Sequence, residues 1–184
     1  MDLLGLVPPK DDVLYVGHRD TRGNGTVAIE TLAGEPLGDL PNVPKGRERW
    51  PGSVEWGYGG EGPHDLARSL LLHALGNAAV CHTCGGTGGM RVRSDPTAPE
   101  GYVIETYARG DEPPGDARVL CPNHTGCEYG MTTLPIHEFV EAYVRHWPTH
   151  GAGIQWRLTR REILTWLAAQ TGPLAAGDEG LPAS

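Results

Sequence analysis

The stretch Asp12–Thr31, DVLYVGHRDTRGNGTVAIET, decides the architecture. Asp12–Gly17 (DVLYVG) is short and β-rich, and Thr26–Thr31 (TVAIET) alternates apolar with polar residues. Arg19–Gly25 (RDTRGNG) between them is turn-rich, so the chain is expected to open on an antiparallel hairpin or meander. Residues 32–53 are dominated by Gly, Pro and charge and read as irregular connection. Ser53–Trp56 (SVEW) reads as a further strand, leading into the cluster Gly57, Gly59, Gly60 and Gly62.

From Pro63 the period changes. HDLARSLLLHAL sets Leu66, Leu70 and Leu71 with Ala67, Ala74 and Leu75 at helical spacing around more than one face, which predicts a largely buried helix stopped at Gly76-Asn77. A second helix is predicted where Ile136, Phe139, Val140, Tyr143, Val144 and Trp147 form one apolar stripe that Pro148 ends. The third has a capping box, Thr159-Arg160-Arg161-Glu162, with Leu158 and Ile163 at the positions of a hydrophobic staple. Ile163, Leu164, Trp166 and Leu167 make its buried side, and Gly172-Pro173 stops it. Between the first two helices Met90–Arg93, Tyr102–Tyr107 and Arg118–Leu120 are strand candidates. The expected fold is α+β: a small antiparallel sheet packed with about three helices, carrying an inserted module. Residues 1–76 and 134–171 would form one discontinuous domain, 77–133 the insertion, and 172–184 a flexible tail.

Composition limits the function classes. Gly 27 and Pro 16 in 184 residues make much of the chain turns and loops. The net charge is −8. Residues 1–76 hold 7 bases and 11 acids, 77–133 hold 4 and 7, and 134–184 hold 4 and 5. No third offers the basic footprint that a phosphate backbone requires. The densest basic spots, Lys45 with Arg47 and Arg49, and Arg157 with Arg160 and Arg161, read as solvated faces. No run approaches the ~18 apolar residues of a bilayer crossing, and the opening MDLLGLVPPK lacks the features of an export signal. A cytoplasmic protein is expected.

In that setting the cysteines point to metal. Cys81-His-Thr-Cys84-Gly85 has the form of a zinc knuckle, with Gly85 permitting the tight turn. Downstream, Cys121-Pro-Asn-His124-Thr-Gly-Cys127 offers three further donors. An all-sulfur shell of Cys81, Cys84, Cys121 and Cys127 accounts for every cysteine of the chain, with His124 as the alternative fourth ligand. The competing explanation is a redox dithiol or two unrelated buried pairs. A Zn2+ ion closed by four protein ligands is structural, and it explains how a Gly- and Pro-rich segment holds a shape.

Other constellations weigh less. Gly57-Tyr-Gly59-Gly-Glu-Gly62 matches G-x-G-x-x-G, but position 82 is His where a dinucleotide site wants an acid, and Glu61 and Asp65 repel a pyrophosphate. A turn allowing close backbone packing is the expectation. His137-Glu138-x-x-Glu141 lacks the second histidine of a metalloprotease helix and lies on the polar side of the stripe. His64, His73, His146 and His150 are scattered without evident partners.

Val54-Glu-Trp56-Gly-Tyr-Gly-Gly-Glu-Gly-Pro63-x-x-Leu66-Ala67 resembles the glycine core of a family of short uncharacterised bacterial and phage proteins, a domain of unknown function. Tyr15-Val-Gly17 is similar to that family's opening strand, and Trp156-Arg-Leu158-Thr-Arg-Arg-Glu162-Ile-Leu-Thr-Trp166-Leu167 to its closing W-x-L-T-x-x-E-I-x-x-W-L motif. The resemblance covers about 13–76 and 136–168. Glu61 replaces a small Ser, and 77–133 stands between two family helices. It implies a phage or mobile-element origin and carries no activity.

The expected function is therefore a non-catalytic, zinc-stabilised protein binding a macromolecule, with protein favoured over nucleic acid and no membrane role. In the alternative, nucleic-acid binding, Arg91 and Arg93 would meet phosphates and Tyr102, Tyr107 and Tyr129 would stack. A third reading is a metal enzyme in which Cys81, Cys84 and Cys121 leave the fourth position to water.

Overall fold

The structure, a computed structural model, describes residues 12–42, 54–86, 88–107, 113–114, 117–123, 127–128 and 131–171. Its main body is a four-stranded antiparallel sheet. β1 (Val13–Arg19) and β2 (Gly25–Thr31) form the expected hairpin, paired Tyr15 to Ile29 and Gly17 to Val27. Asp20 closes the turn by accepting the amides of Arg22 and Asn24, each at 2.8 Å, the local bonding for which Asp is favoured in turns.

Two strands extend this hairpin. β3 (Pro36–Asp39) pairs with β2 inside the segment read as irregular, and all four of its residues are exposed. Such a short, wet strand carrying a proline has no apolar period to betray it, because an edge strand needs none. At the other side β9 (Gly153–Thr159) pairs with β1, giving the order β3-β2-β1-β9. The sequence does announce β9. Trp156 and Leu158 are buried while Arg157 between them is exposed, a period of two that the nearby capping box obscures. Val54–Trp56, by contrast, forms no strand; Ser53 lies outside the described residues. Trp56 is fully buried instead, its indole N–H donating to the Pro148 carbonyl at 2.8 Å.

Three helices cover one face of the sheet. α1 (Glu61–Leu75) starts two residues before the predicted Pro63 and ends at Gly76. It buries Leu66, Ala67, Leu70, Leu71 and Ala74 against Val13, Tyr15, Val27 and Ile29. Each large aliphatic side chain so buried contributes about 1.5–3 kcal/mol. α2 (Ile136–Ala142) is shorter than the stripe predicts. The chain leaves helical geometry at Tyr143 (φ −130°, ψ −67°) and continues as a single 3₁₀ turn, Val144–His146. The stripe still works across that break, because Phe139, Val140 and Val144 are all fully buried. Trp147 then stacks on Trp156 at 3.9 Å between ring centroids, and Trp56 meets Trp156 edge-on at 5.7 Å.

α3 (Arg160–Thr171) opens on the capping box the sequence predicts. The Glu162 amide donates to Thr159 Oγ1 at 3.1 Å, and the Thr159 amide donates to the Glu162 carboxylate at 2.7 Å. Leu158 and Ile163 are both buried, completing the staple. Replacing Thr159 with Ala should therefore cost about 1 kcal/mol. In a chain of this length that lowers the thermal midpoint by roughly 2–4 °C, a shift readable by calorimetry.

One polar pair is sealed within this body. Tyr15 and His73 are 0% and 8% exposed, and the Tyr15 hydroxyl lies 2.8 Å from His73 Nδ1. Arg160 approaches the pair while donating its Nε–H to the Ala74 carbonyl at 2.7 Å. Burial, and then the Arg160 charge, lower the His73 pKa; burial raises that of Tyr15. Protonated His73 thus favours the unfolded chain. The stability it lends is complete above the ordinary histidine pKa of about 6.5 and declines as pH falls through and below that value. Tyr15 acts at the other limit, where ionisation of the unfolded chain's tyrosine above about pH 10 pulls the fold apart. A melting series against pH should therefore lose stability below pH ~6.5, and His73→Gln should flatten that acid limb. An unchanged limb in the variant would remove His73 as its cause.

The remaining described strands form smaller sheets. β4 (Gly89–Ser94), β5 (Tyr102–Glu105) and β6 (Arg118–Leu120) make a three-stranded antiparallel sheet ordered β5-β4-β6, close to the predicted segments. β7 (Cys127–Glu128) and β8 (Met131–Thr132) make a two-residue ladder, and Met131 also bridges to Val80. The protein is thus α+β, with a buried cysteine cluster beside its second sheet. No helix among the described residues is long and apolar enough to cross a membrane.

Candidate metal centre

After α1 the chain makes one 3₁₀ turn, Gly76–Ala79, bridges through Val80 to Met131, and turns sharply over residues 82–86. Gly85 takes φ +61° in that turn, a conformation open to glycine and costly for other residues. The result brings Cys81 and Cys84 to one side of the loop. β6 delivers the third cysteine: Leu120 pairs with Gly89, and the Cys121 amide then donates to the Gly88 carbonyl at 3.2 Å.

The sulfurs of Cys81, Cys84 and Cys121 all lie within 4.8 Å of one another. The three residues are 2%, 0% and 4% exposed, with Met90 of β4 packed against them. Cys81 Sγ and Cys121 Sγ stand 3.9 Å apart. A disulfide needs ~2.05 Å, whereas a tetrahedral ion with Zn–S bonds of ~2.3 Å sets its sulfurs ~3.8 Å apart. The separation fits two thiolates on one ion. Polar hydrogens also point at the sulfurs, as a thiolate cluster requires: the Gly88 amide donates to Cys84 Sγ at 3.3 Å, and Asn123 Nδ2 lies 3.9 Å from Cys81 Sγ. This three-cysteine cluster is capable of coordinating a metal ion. Cys127 sits on β7, its side chain outside the described residues, and His124 lies outside them altogether.

The other candidates fall into structural roles. Gly57 (φ +86°) packs where a Cβ would sit 1.9 Å from the Thr149 side chain and 2.8 Å from the Trp147 carbonyl oxygen, and its amide donates to the Val144 carbonyl. Within the glycine cluster, Gly57 is thus the close-packing position of the turn. His137 and Glu138 are exposed, as their side of the stripe predicts. Glu141 accepts a hydrogen bond from Arg145, and that bond holds its carboxyl below the usual carboxylate range. Three of the histidines without evident partners in the sequence have them in the fold. His73 meets Tyr15, His64 contacts the Gly60 carbonyl and stacks on His137 at 5.8 Å, and His146 lies 2.9 Å from the Glu141 carbonyl. Contacts across 58 residues, like that of His73, leave no local signal in a sequence.

Arg91 and Arg93 lie on β4, both opposite β5. Arg93 pairs with Asp95 at 3.8 Å and with Glu105 at 3.6 Å. Tyr107 is buried, which removes it as a stacking platform, while Tyr102 is exposed. Tyr129 and the basic spot Lys45, Arg47 and Arg49 lie outside the described residues.

The matched segment runs from the first strand through this knuckle. Residues 15–84 match a family of unknown function, DUF6166. The similarity to DUF6166 takes in the hairpin, the glycine turn, α1, and Cys81 with Cys84. Cys121 and the closing 156–167 motif lie beyond it. No curated protein and no solved structure matches the chain.

Proposed function

We propose that the chain is a non-catalytic binding protein in which Zn2+ braces an inserted module, residues 77–133, on a discontinuous body formed by 1–76 and 134–171. The observation that carries this reading is the convergence of three buried sulfurs from positions 81, 84 and 121, with one pair at a tetrahedral edge length. A fourth donor from the 121–127 stretch, Cys127 or His124, closes the shell. A closed shell leaves no coordination position for a reacting water, and so it serves folding.

The partner is a macromolecule, with protein favoured over nucleic acid. Tyr102, Ile104, Val119 and Leu120 of the small sheet are 43%, 49%, 36% and 80% exposed, and apolar contact suits a protein surface. Arg93 spends its charge on two carboxylates of its own chain, which weakens it as a phosphate contact. Phage or mobile-element origin and a cytoplasmic site belong to the same reading.

Metal analysis of the purified full chain tests the core of this proposal. About one zinc per chain is expected, released by a chelator together with a loss of β signal in circular dichroism. A chain that purifies without metal and keeps its fold in chelator would overturn it. A low-salt gel shift separates the two partner classes: binding of single- or double-stranded nucleic acid would move the assignment to the nucleic-acid alternative.

A further inference from the structure

We infer that Cys81 and Cys121 form a modification site, at which a hydroperoxide converts the two thiols into one disulfide. The inference stands on the thiols themselves and does not require the metal reading above. Cys81, Cys84 and Cys121 are all thiols, and the sulfurs of Cys81 and Cys121 are 3.9 Å apart. A closing by about 2 Å would make the ~2.05 Å bond of a disulfide. The two residues are 40 positions apart in the chain, one before β4 and one after β6. Register brings them together: Gly89 pairs with Leu120, and the Cys121 amide then donates to the Gly88 carbonyl.

Sequence alone would pair Cys81 with Cys84, the usual redox partner two residues on. The fold argues against that choice. Cys84 is fully buried, and its sulfur accepts the Gly88 backbone amide at 3.3 Å, a fixed donor that engages the lone pair a nucleophile needs. The donor at Cys81 Sγ is the side chain of exposed Asn123, at 3.9 Å, which can swing aside. Cys81 and Cys121 also lie one residue beneath the surface, next to exposed His82 and exposed Pro122, within reach of a molecule as small as hydrogen peroxide. The chemistry balances. One sulfur of the pair attacks the peroxide O–O bond, becoming a sulfenic acid and expelling hydroxide. The second sulfur attacks the first; the S–S bond forms, the S–O bond breaks, and the departing hydroxide takes up a proton. Two thiols and one hydrogen peroxide thus give one disulfide and two waters, with two electrons passing from sulfur to oxygen. An ion held by these sulfurs would lose two donors and leave.

The test treats the full-length chain, as purified, with equimolar hydrogen peroxide. The product is denatured, its remaining thiols are alkylated, and a non-reduced digest is sequenced by mass spectrometry. A Cys81–Cys121 linkage is expected in about tenfold excess over any other, with Cys84 alkylated and the linkage lost in dithiothreitol. A Cys81–Cys84 linkage, a linkage through Cys127, oxidation that stops at single-cysteine acids, or thiols unchanged in excess peroxide would each overturn the inference. Cys121→Ser should abolish the linkage, and mapping of the unmutated chain decides the matter even if that variant does not fold. Zinc counted in the same samples keeps the two proposals apart. A chain without zinc that forms the linkage refutes the metal reading alone, and a zinc-bearing chain that never forms it refutes this inference alone.

Discussion

Cys84→Ser is expected to strip the chain of metal and to unravel the small sheet while sparing the larger one. Cys84 is fully buried, its sulfur accepts the Gly88 amide, and it belongs to a cluster of cysteines with Met90 that is separate from the main core. Structural zinc contributes about 10–16 kcal/mol of apparent binding energy, as much as the whole stability of an ordinary domain, about 5–15 kcal/mol. The second sheet is small: three strands of six, four and three residues, with Ile104 and Leu120 facing water. Hydrogen exchange followed by mass spectrometry should show protection lost across β4, β5 and β6 and retained in β1, β2 and α1. Chelation of the unmutated chain should reproduce that pattern. If the variant exchanged like the parent, the three thiols would be packing groups, and the metal would have no part in the fold.

The second large effect is expected within a single glycine cluster. Gly57→Ala meets two penalties at once. Its φ of +86° disfavours a Cβ, and the new methyl would sit 1.9 Å from Thr149 Cγ2. The left-handed conformation costs about 1–2 kcal/mol and overpacking about 1–3 kcal/mol, so a loss of roughly 2–5 kcal/mol follows. That corresponds to a fall of about 4–20 °C in the thermal midpoint. Gly59→Ala, two residues on, faces open space without positive φ and should stay within about 0.5 kcal/mol. Paired melts of the two variants separate a packing turn from a phosphate-binding loop, in which both glycines would matter through a ligand and neither strongly through stability.

Local rules carried much of the architecture from sequence to structure. The hairpin, the α3 capping box and staple, and the segments of β4, β5 and β6 were legible because hydrogen-bond chemistry or alternation within a few residues defines each. What escaped depended on distant partners. Trp56 forms no strand, and its indole meets the Pro148 carbonyl 92 residues away, while α2 breaks at Tyr143 and its stripe continues into Val144 and Trp147. β3 has no burial to imprint a period. At the metal centre, cysteine spacing pointed to Cys81, Cys84, Cys121 and Cys127 as one set, with His124 as the alternative fourth donor, and the fold brings the first three together.

The position of β1 also governs how the molecule is made. Its two neighbours are β2, a few residues downstream, and β9, which begins at Gly153. During synthesis β1 can zip to β2 almost at once, but its other edge must wait for more than a hundred further residues to leave the ribosome. At about 5–20 residues per second that interval is on the order of ten seconds. Throughout it the β9-facing edge of β1 keeps its backbone N–H and C=O groups unpaired, a template for pairing with other chains until β9 arrives.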